Sequence, residues 1–425
     1  MKKFSLILLI LVSHNSCSFF NSVIENNEPA PALKESNQKI FCPQDGQTPK
    51  VSMASNNLNA KDIFTETLKN IPNGDKFTTI ERGILFSLLH LNIRPDTFSP
   101  SARFQLFIKN KGSWEYWDVS SPKGQYPLLY GLETIALYYG SKYSLKKMAY
   151  FIDKYAPPYF PIGPQLGNFL VKNQKELSRH KIFNDAFFKA GQILQVGESI
   201  KKLPFRKIIK KYKALPKNEY QIKSKLFDFS LTNRNDLKIK CNLDLNLYSR
   251  SIYPIRNSSN TQTSPFGVVD TKGNAFIAVT SNRYKTLSPG LETFLISGNE
   301  KSLPVSFCQI KEKTREINLF SFKGRDPAQH IYHLIEQEVI QSQNLSDLAA
   351  LIAFPRHQFL LNPLRMLYES NRASKEQLQK FLGMGIPLYH SSNLGNLWAL
   401  AFFKKLNTQG FVLDPREGGH LSCLN

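Results

Sequence analysis

Three side chains that can bind metal recur every third residue along one predicted helix. They are His330, His333 and Glu336. Residues at i and i+3 share a helix face, but the zinc-binding pattern places two histidines at i and i+4 with a glutamate between them. The cysteines also lack the CxxC spacing of a zinc site. The spacing therefore favours histidines of a helix surface or core, and no metal site is predicted.

A hydroxyl group that could act as a nucleophile precedes a clear strand signal. Thr263 opens the run of residues 263–275, in which an apolar segment ends in Asp270 and a Thr-Lys-Gly-Asn turn follows. A second apolar segment, residues 275–280, continues after the turn, so the pattern predicts a β-hairpin. A threonine before a strand is usually a turn residue, and its hydroxyl needs a base to become a nucleophile. The hairpin alone therefore assigns no role to Thr263.

The elements that would position these residues do not alternate regularly along the chain. A second hairpin is predicted at residues 104–117, around an Asn-Lys-Gly turn. Helical periodicity predicts helices at residues 63–71, 82–91, 126–139, 145–155, 165–177, 327–342 and 345–352, and a capping box at Ser374 starts another that ends at Gly383. Strands clustered beside runs of helices predict an α+β fold built of packed layers.

Several motifs resemble the gamma-glutamyltransferase family. Residues 263–275 (TSPFGVVDTKGNA) are similar to the start of that family's small subunit. Residues 353–358 (AFPRHQ) and 414–419 (DPREGG) are similar to two later landmarks, and they occur in the same order. Residues 131–141 resemble an early helix and Tyr-Gly turn of the family. The resemblance covers most of residues 60–425, although a family segment before Thr263 is missing here.

The resemblance implies a four-layer α-β-β-α sandwich of the N-terminal-nucleophile (Ntn) hydrolases. In that chemistry a precursor cleaves itself before a threonine, whose hydroxyl becomes the nucleophile and whose new α-amine acts as the base. Thr263 is the matching position. Thr280, Ser281 and Asn282 are the candidate supporting groups. The resemblance implies no cofactor.

Most groups that would read a gamma-glutamyl substrate are replaced in this sequence. Such transfer needs a cation for the substrate carboxylate, an anion for its amine and donors for the oxyanion. Asp118 stands near the position of the family's arginine, where an acid would repel a carboxylate. Residues 297–301 (SGNEK), 303–304 (LP) and 326–328 (DPA) replace the acidic run, the paired serines and the Gly-Gly turn. Since proline has no N–H to donate, an altered or inactive site is expected.

The amino terminus has the pattern of a bacterial export signal. Two lysines precede an apolar run, residues 4–12, and small polar residues then lead to Cys17. The run is too short to span a bilayer, so it predicts a cleaved signal rather than a membrane anchor. Cys17 stands where bacterial lipoproteins carry their lipid-modified cysteine, although His14 departs from the usual site. The expected location is the cell envelope, on the periplasmic side of the outer membrane or extracellular.

The chain is accordingly divided into four regions. Residues 1–17 are the export signal with lipidation at Cys17, and residues 18–55, rich in polar residues, form a tether. Residues 56–262 are the large-subunit-like region, and residues 263–425 are the small-subunit-like region. Four cysteines remain after Cys17, and in an oxidising compartment they allow two disulfides in three connectivities: Cys42, Cys241, Cys308 and Cys423.

The formal net charge of +22 is concentrated most strongly in residues 201–213. Apolar residues there are spaced for one helix face, which predicts an amphipathic surface helix. Since an exported protein rarely meets nucleic acid, the favoured partner for the excess charge is anionic lipid or polysaccharide.

Two functions are compatible with the sequence. The first is a non-catalytic envelope lipoprotein with a binding or structural role on a gamma-glutamyltransferase scaffold. The second is a diverged threonine hydrolase or acyltransferase, which would act on a small amide substrate.

The signal pattern predicts that export removes residues 1–16 and leaves an acylated Cys17. Mass spectrometry of the protein extracted from membranes would show the lipid on the amino-terminal cysteine. A mature chain that starts at another residue and carries no lipid would refute the anchor but not export.

Overall fold

The computed structural model of the protein describes residues 51–100, 102–120, 126–213, 221–223, 227–228, 238–242, 261–283, 305–323, 327–336, 339–360, 364–391, 394–417 and 419–424. The predicted signal, Cys17 and Cys42 lie outside these residues, so export and lipidation stay predictions.

The described residues include helices on both sides of the central hairpin in the sequence. Their bounds are α1 Ala60–Asn70, α2 Thr79–Ile93, α3 Pro127–Tyr138, α4 Leu145–Tyr155, α5 Pro164–Lys172, α6 Gln174–Leu177, α7 Lys181–Phe187, α8 Phe205–Lys213, α9 Pro327–Glu336, α10 Leu345–Ala353 and α11 Lys375–Leu382. Short 3-10 turns occur at Gly74–Lys76, Val339–Gln341, Lys404–Leu406 and Pro415–Glu417. Among the described helices, none is both long enough and apolar enough to cross a bilayer.

The strands form two large sheets and three small ones. Their bounds are β1 Val51–Ser55, β2 Arg103–Asn110, β3 Ser113–Ser120, β4 Tyr159–Pro161, β5 Phe188–Lys189, β6 Gln192–Ile193, β7 Ser199–Lys201, β8 Gln221–Lys223, β9 Phe227–Asp228, β10 Lys238–Asn242, β11 Thr261–Asp270, β12 Ala275–Arg283, β13 Ser306–Lys311, β14 Arg315–Lys323, β15 His357–Leu360, β16 Arg365–Tyr368, β17 Leu388–His390, β18 Asn396–Phe403, β19 Thr408–Leu413 and β20 His420–Leu424. One large sheet has the order β20-β1-β11-β12-β2-β3-β8, and the other has the order β19-β18-β14-β13-β10-β9. These observations confirm a mixed helix and sheet fold.

Local sequence signals explain the two predicted hairpins, which the structure confirms. Strands β2 and β3 meet at a two-residue turn, where Lys111 and Gly112 have φ values of 49° and 84°. Positive φ at both positions is typical of the turn that matches the twist of a tight hairpin. In the β11–β12 turn, Asp270 Oδ1 accepts from the amides of Lys272 and Asn274, each at 2.9 Å. The side chain of Asp270 therefore closes the turn that positions both strands.

Capping residues fix the starts of two predicted helices. Thr78 and Glu81 form a reciprocal capping box at the start of α2, and Ser374 and Gln377 form another at α11. Each box satisfies backbone donors that the first helical turn leaves free. Helix α2 also packs very closely on strand β12, because a Cβ on Gly83 would lie 2.2 Å from the ring of Phe276.

The predicted tether is wrong at its carboxyl end. Residues 51–55 form strand β1, which is buried and lies between β20 and β11 in the seven-stranded sheet. Alternating side chains of β1 enter two different apolar clusters, with Met53 in one and Ala54 in the other. The small-subunit-like boundary at Thr263 likewise falls inside a strand, because β11 begins at Thr261.

Three apolar clusters hold the sheets and helices together. The first joins Phe266, Val268 and other residues of the seven-stranded sheet to helices α1 to α8. The second joins the opposite face of that sheet to the six-stranded sheet, with Ile277 and Phe307 among its members. The third joins the six-stranded sheet to α9 and α10. The hairpin β11–β12 therefore packs on helices with one face and on the second sheet with the other.

One disulfide links neighbouring strands of the six-stranded sheet. Cys241 on β10 lies directly opposite Cys308 on β13, with a Cα–Cα distance of 4.1 Å, and the two sulfurs are bonded. This pairing is one that the sequence left open. Cys423 lies on β20, and Cys42 is outside the described residues.

Two of the family-like motifs meet in one buried ionic cluster. Arg356 donates to Asp414, and Arg416 donates to Asp414 Oδ1 at 3.1 Å and to Glu369 Oε1 at 2.7 Å. Glu369 also accepts from the amides of Arg356 and Leu394, both at 3.0 Å. The motifs at residues 353–358 and 414–419 therefore act here as a clamp between α10 and the end of β19.

Replacing Asp414 with Asn is expected to lower the free energy of unfolding by about 3–5 kcal/mol, because it leaves Arg356 and Arg416 buried without their shared anion. Burial alone would raise the pKa of Asp414, but Arg356, Arg416 and two backbone amides outweigh it, and the pKa is lowered. A lowered pKa gives stability above the unfolded-state value, about 3.9, and that stability is lost as the pH falls through the folded-state value.

Urea unfolding at pH 7 and at pH 3 would measure both effects. Asp62→Asn, an exposed acid in the first turn of α1, is the matched control and should cost about 1 kcal/mol or less. Equal stability of the Asp414 and Asp62 variants at pH 7 would contradict the assigned role of the cluster.

Candidate functional site

Thr263 lies inside the continuous strand β11 and is half-buried. Its cross-strand partner on β12 is Ser281, which in turn lies opposite Arg103 on β2. Neighbouring strands are about 4.8 Å apart, so the backbones of Thr263 and Arg103 are separated by roughly 10 Å. This register defines a row of three residues across one end of the sheet.

The alternation of side chains along each strand decides which candidates share a face with Thr263. Positions 265, 267 and 269 point to the same face of β11 as Thr263, because alternate residues of a strand share a face. Val269 belongs to the cluster between the two large sheets, so this is the face toward the six-stranded sheet. Thr280 pairs with Ser264, which follows Thr263 and points to the opposite face of the strand. Thr280 therefore lies on the helix-facing side. Asn282 pairs with Gln262. The structure thus places Ser281 opposite Thr263 but does not bring Thr280 to the same face.

A polar network lies beside this row, on the face of the seven-stranded sheet that packs against the six-stranded sheet. This face is called the inner face below. Arg103 Nε donates to Asp118 Oδ1 at 2.8 Å, and its Nη2 donates to Oδ2. Tyr116 Oη donates to Asp118 Oδ2 at 3.1 Å. The Val305 amide donates to Gln105 Oε1 at 2.7 Å. Arg103, Tyr116 and Asp118 thus bond to one another, and none of the described residues hydrogen-bonds to the Thr263 hydroxyl.

Asp118, the acid that stands near the position of the family's arginine, is paired with Arg103. Burial alone would lower the pKa of Arg103, but the hydrogen bonds and negative charge of Asp118 outweigh it and raise that pKa. The two groups therefore form an ion pair, in which the charge of Asp118 is balanced by that of Arg103. Since Asp118 lies on β3, beyond β2 from the hairpin, the pair also draws the Arg103 guanidinium away from Thr263.

A hydroxyl–imidazole pair on the helix-facing side was missed by the sequence interpretation. Ser55 Oγ lies 3.3 Å from His90 Nε2, and His90 Nδ1 lies 3.0 Å from the Phe86 carbonyl. Burial lowers the pKa of His90 to about 3. An imidazole with so low a pKa is a weak general base near neutral pH. The stack of His90 on Phe266, with centroids 4.6 Å apart, supports a packing role instead.

Several replacements noted in the sequence fall outside the described residues, namely those at 297–301, 303–304 and 326. Pro327 begins helix α9, and Ala328 is fully buried there. His330 and His333 lie on the same helix and are also buried. Burial is the main cause that lowers the pKa of both histidines, to about 4 for His333. Among the described residues, no group of three or more metal-binding side chains is brought together.

Comparisons with known proteins give similarity at the level of structure. No family profile and no curated protein sequence matches this chain. The cephalosporin acylase from Bacillus halodurans has a TM-score of 0.62 at 10% identity, over 94% of this chain and 99% of that one. A variant of LmbA2991 has a TM-score of 0.58 at 9% identity, over 88% of this chain and 98% of that one. Helicobacter pylori gamma-glutamyltranspeptidase overlaps only 37% of this chain, with a TM-score of 0.30.

The similarity to the first two structures extends over nearly their whole length, and at these identities it concerns the fold alone. The chain therefore has the same overall fold as the cephalosporin acylase and LmbA2991.

Proposed function

We propose that this protein is a non-catalytic member of the gamma-glutamyltransferase-like group, with a binding role in the bacterial cell envelope. The proposal includes the four-layer α-β-β-α arrangement, which the three apolar clusters support. The observation that carries it is the orientation of the polar groups beside Thr263. Arg103, Asp118, Tyr116 and Gln105 are engaged with one another or with Val305.

The physical basis is the need for preorganised groups in acyl transfer. Catalysis requires donors that point to the developing oxyanion and a cation or anion that holds the substrate. The only arginine in the row of Thr263 is turned toward β3, where an ion pair made of two hydrogen bonds to Asp118 holds it. Releasing it to bind a substrate would leave Asp118 buried without its partner, which is costly. The arrangement is therefore better suited to a rigid end of the sheet than to a pocket that binds a substrate.

The strand around Thr263 also disfavours self-cleavage. The ladder between β11 and β12 runs from Thr261 to Val269 without a change of register. The peptide bond before Thr263 lies within this ladder. For self-cleavage, the hydroxyl must reach the carbonyl carbon of Gln262, and this requires the strand to leave its regular extended form. The pairing on β12 opposes that distortion.

One observation favours the alternative of an active threonine hydrolase. Gln105 lies two residues from Arg103 along β2, on the same face as the row of Thr263. Its buried Nε2 has no hydrogen-bond partner among the described residues. A buried free N–H is costly and is often explained by an ion, a water or a ligand. The cephalosporin acylase fold similarity is compatible with an amide substrate for such a site.

The first test of this proposal is the state of the chain itself. The purified protein is expected to stay intact, because the ladder holds the peptide bond between Gln262 and Thr263 in regular strand geometry. Denaturing electrophoresis after long incubation, with mass analysis of any fragments, would measure this. Conversion into two pieces that is abolished by Thr263→Ala would move the assignment to the hydrolase.

The second test is turnover of a chromogenic gamma-glutamyl anilide, with and without a dipeptide acceptor. Loss of one oxyanion donor typically costs about 100- to 1000-fold, so the rate should be at least about 100-fold below that of a working gamma-glutamyltransferase assayed alongside. Thr263→Ala should leave the residual rate unchanged. A comparable rate that disappears in that variant would establish a working transferase.

A further inference from the structure

An apolar cavity of about 420 Å³ opens on the helical layer, between α2, α7 and the segment that leads into α8. Its wall includes Leu91, Phe187, Ile200 and Leu203, which belong to the large apolar cluster. Ala186 on α7 also lines it and is half-buried. This volume lies within the range of about 300–1,000 Å³ that is typical of small-molecule sites. The cavity is on the other side of the seven-stranded sheet from the row of Thr263.

Lysines with free amino groups stand at the rim of this cavity. Lys201 and Lys207 line it, are exposed and form no ion pair with other described residues. Lys202 also lines it but donates to the carbonyls of Ile152, Asp153 and Ala156 at 3.2, 2.9 and 2.7 Å. Asp185 is the acid of the lining. Two cations are therefore free to meet an anionic group at the cavity mouth.

The surroundings of the rim add to this positive field. Helix α8 buries Phe205, Ile208, Ile209 and Tyr212 and exposes its basic residues, which confirms the predicted amphipathic surface helix. Two of the acids near the rim are engaged in local hydrogen bonds. Asp153 accepts from the amides of Phe205 and Arg206 at 3.0 and 2.9 Å, and Glu133 accepts from Tyr212 Oη at 2.8 Å. The cavity lining itself carries Lys201, Lys202 and Lys207 against the single acid Asp185, so an anion meets an excess of positive charge there.

The combination of an apolar wall and a cationic rim selects one class of ligand. A small inorganic anion would use the lysines but leave the apolar wall in contact with water. A neutral apolar molecule would use the wall alone. An alkyl chain gains roughly 0.8 kcal/mol for each methylene that it buries, and an anionic head group remains at the surface beside the lysines.

We propose that this cavity binds a single-chain amphiphile with an anionic head group, such as a fatty acid. The alkyl chain packs against Phe187, Ile200 and Leu203, and the head group lies at the rim near Lys201 and Lys207. This site is independent of Thr263 and of any turnover there.

Isothermal titration of the full chain with decanoate, below its micelle concentration, tests the proposal. Saturable binding of one decanoate is expected, with an affinity that rises about fourfold for each added methylene from octanoate to decanoate. Decanol, which has the chain without the charge, should bind more weakly by about fivefold or more. Acetate, which has the charge without the chain, should not bind detectably.

Variants separate the cavity from the basic surface around it. Ala186→Trp fills the cavity and should abolish decanoate binding. The double change Lys201→Glu and Lys207→Glu should weaken decanoate binding by about fivefold or more and leave decanol binding nearly unchanged. Lys210→Glu is the matched control, because Lys210 is exposed on α8 but does not line the cavity. It should change the affinity for decanoate by less than about twofold.

Three outcomes would overturn the proposal. The first is no saturable binding of decanoate. The second is equal weakening by the rim changes and by Lys210→Glu, which would assign the effect to the whole basic helix. The third is binding to vesicles of anionic lipid without any binding of decanoate, which would make α8 a membrane-docking surface. If Ala186→Trp does not fold, as judged by circular dichroism, the rim variant and its control still decide between these results.

Discussion

The register of the β11–β12 hairpin is the constraint on which the rest of the molecule depends. Strand β11 pairs with β1 and β12, and β12 pairs with β2, so this hairpin occupies the middle of the seven-stranded sheet. Its two faces are both buried, one against helices and one against the second sheet. A shift of one residue would exchange the faces of Val268 and Val269. Side chains that now pack on the helices would then face the second sheet, and the reverse. The same register places Thr263 on the inner face.

The residues that resemble a known family are mostly residues that hold the scaffold. Asp270 closes the central turn and also accepts from Thr79 Oγ1 at 2.7 Å, which ties α2 to the hairpin. Arg356, Asp414 and Arg416 clamp α10 to the end of β19. The differences expected from the sequence concern the positions of a gamma-glutamyl site instead. A fold and a site can be separated in this way, because the packing of the layers does not require the chemistry of the site.

Much of the local structure could be predicted from the sequence because it depends on nearby residues. Helical periodicity identified α2, the capping box at Ser374 identified α11, and turn residues identified both hairpins. Strands β13, β14 and β18 were missed, because strands buried on both faces lack the alternation that marks an exposed one. The Arg103–Asp118 pair could have been found from the register of the second hairpin. Gln105 lies opposite Asp118 there, so Arg103, two residues away on the same face, is a diagonal neighbour of Asp118. The Ser55–His90 contact could not, because it joins elements that only the tertiary fold brings together.

The distribution of unpaired charge distinguishes the two sides of the seven-stranded sheet. On the inner face, Arg103 and Lys109 are each paired with an acid, Asp118 and Glu316, so these cations are neutralised within the fold. On the helical layer, the acids near α8 are engaged in helix capping and local pairs, and exposed lysines remain. Buried ion pairs resist rearrangement because separating them leaves an uncompensated charge, whereas exposed lysines can bind a partner with little cost to the fold. The charge that is free to act on another molecule therefore lies on the helical side, away from Thr263.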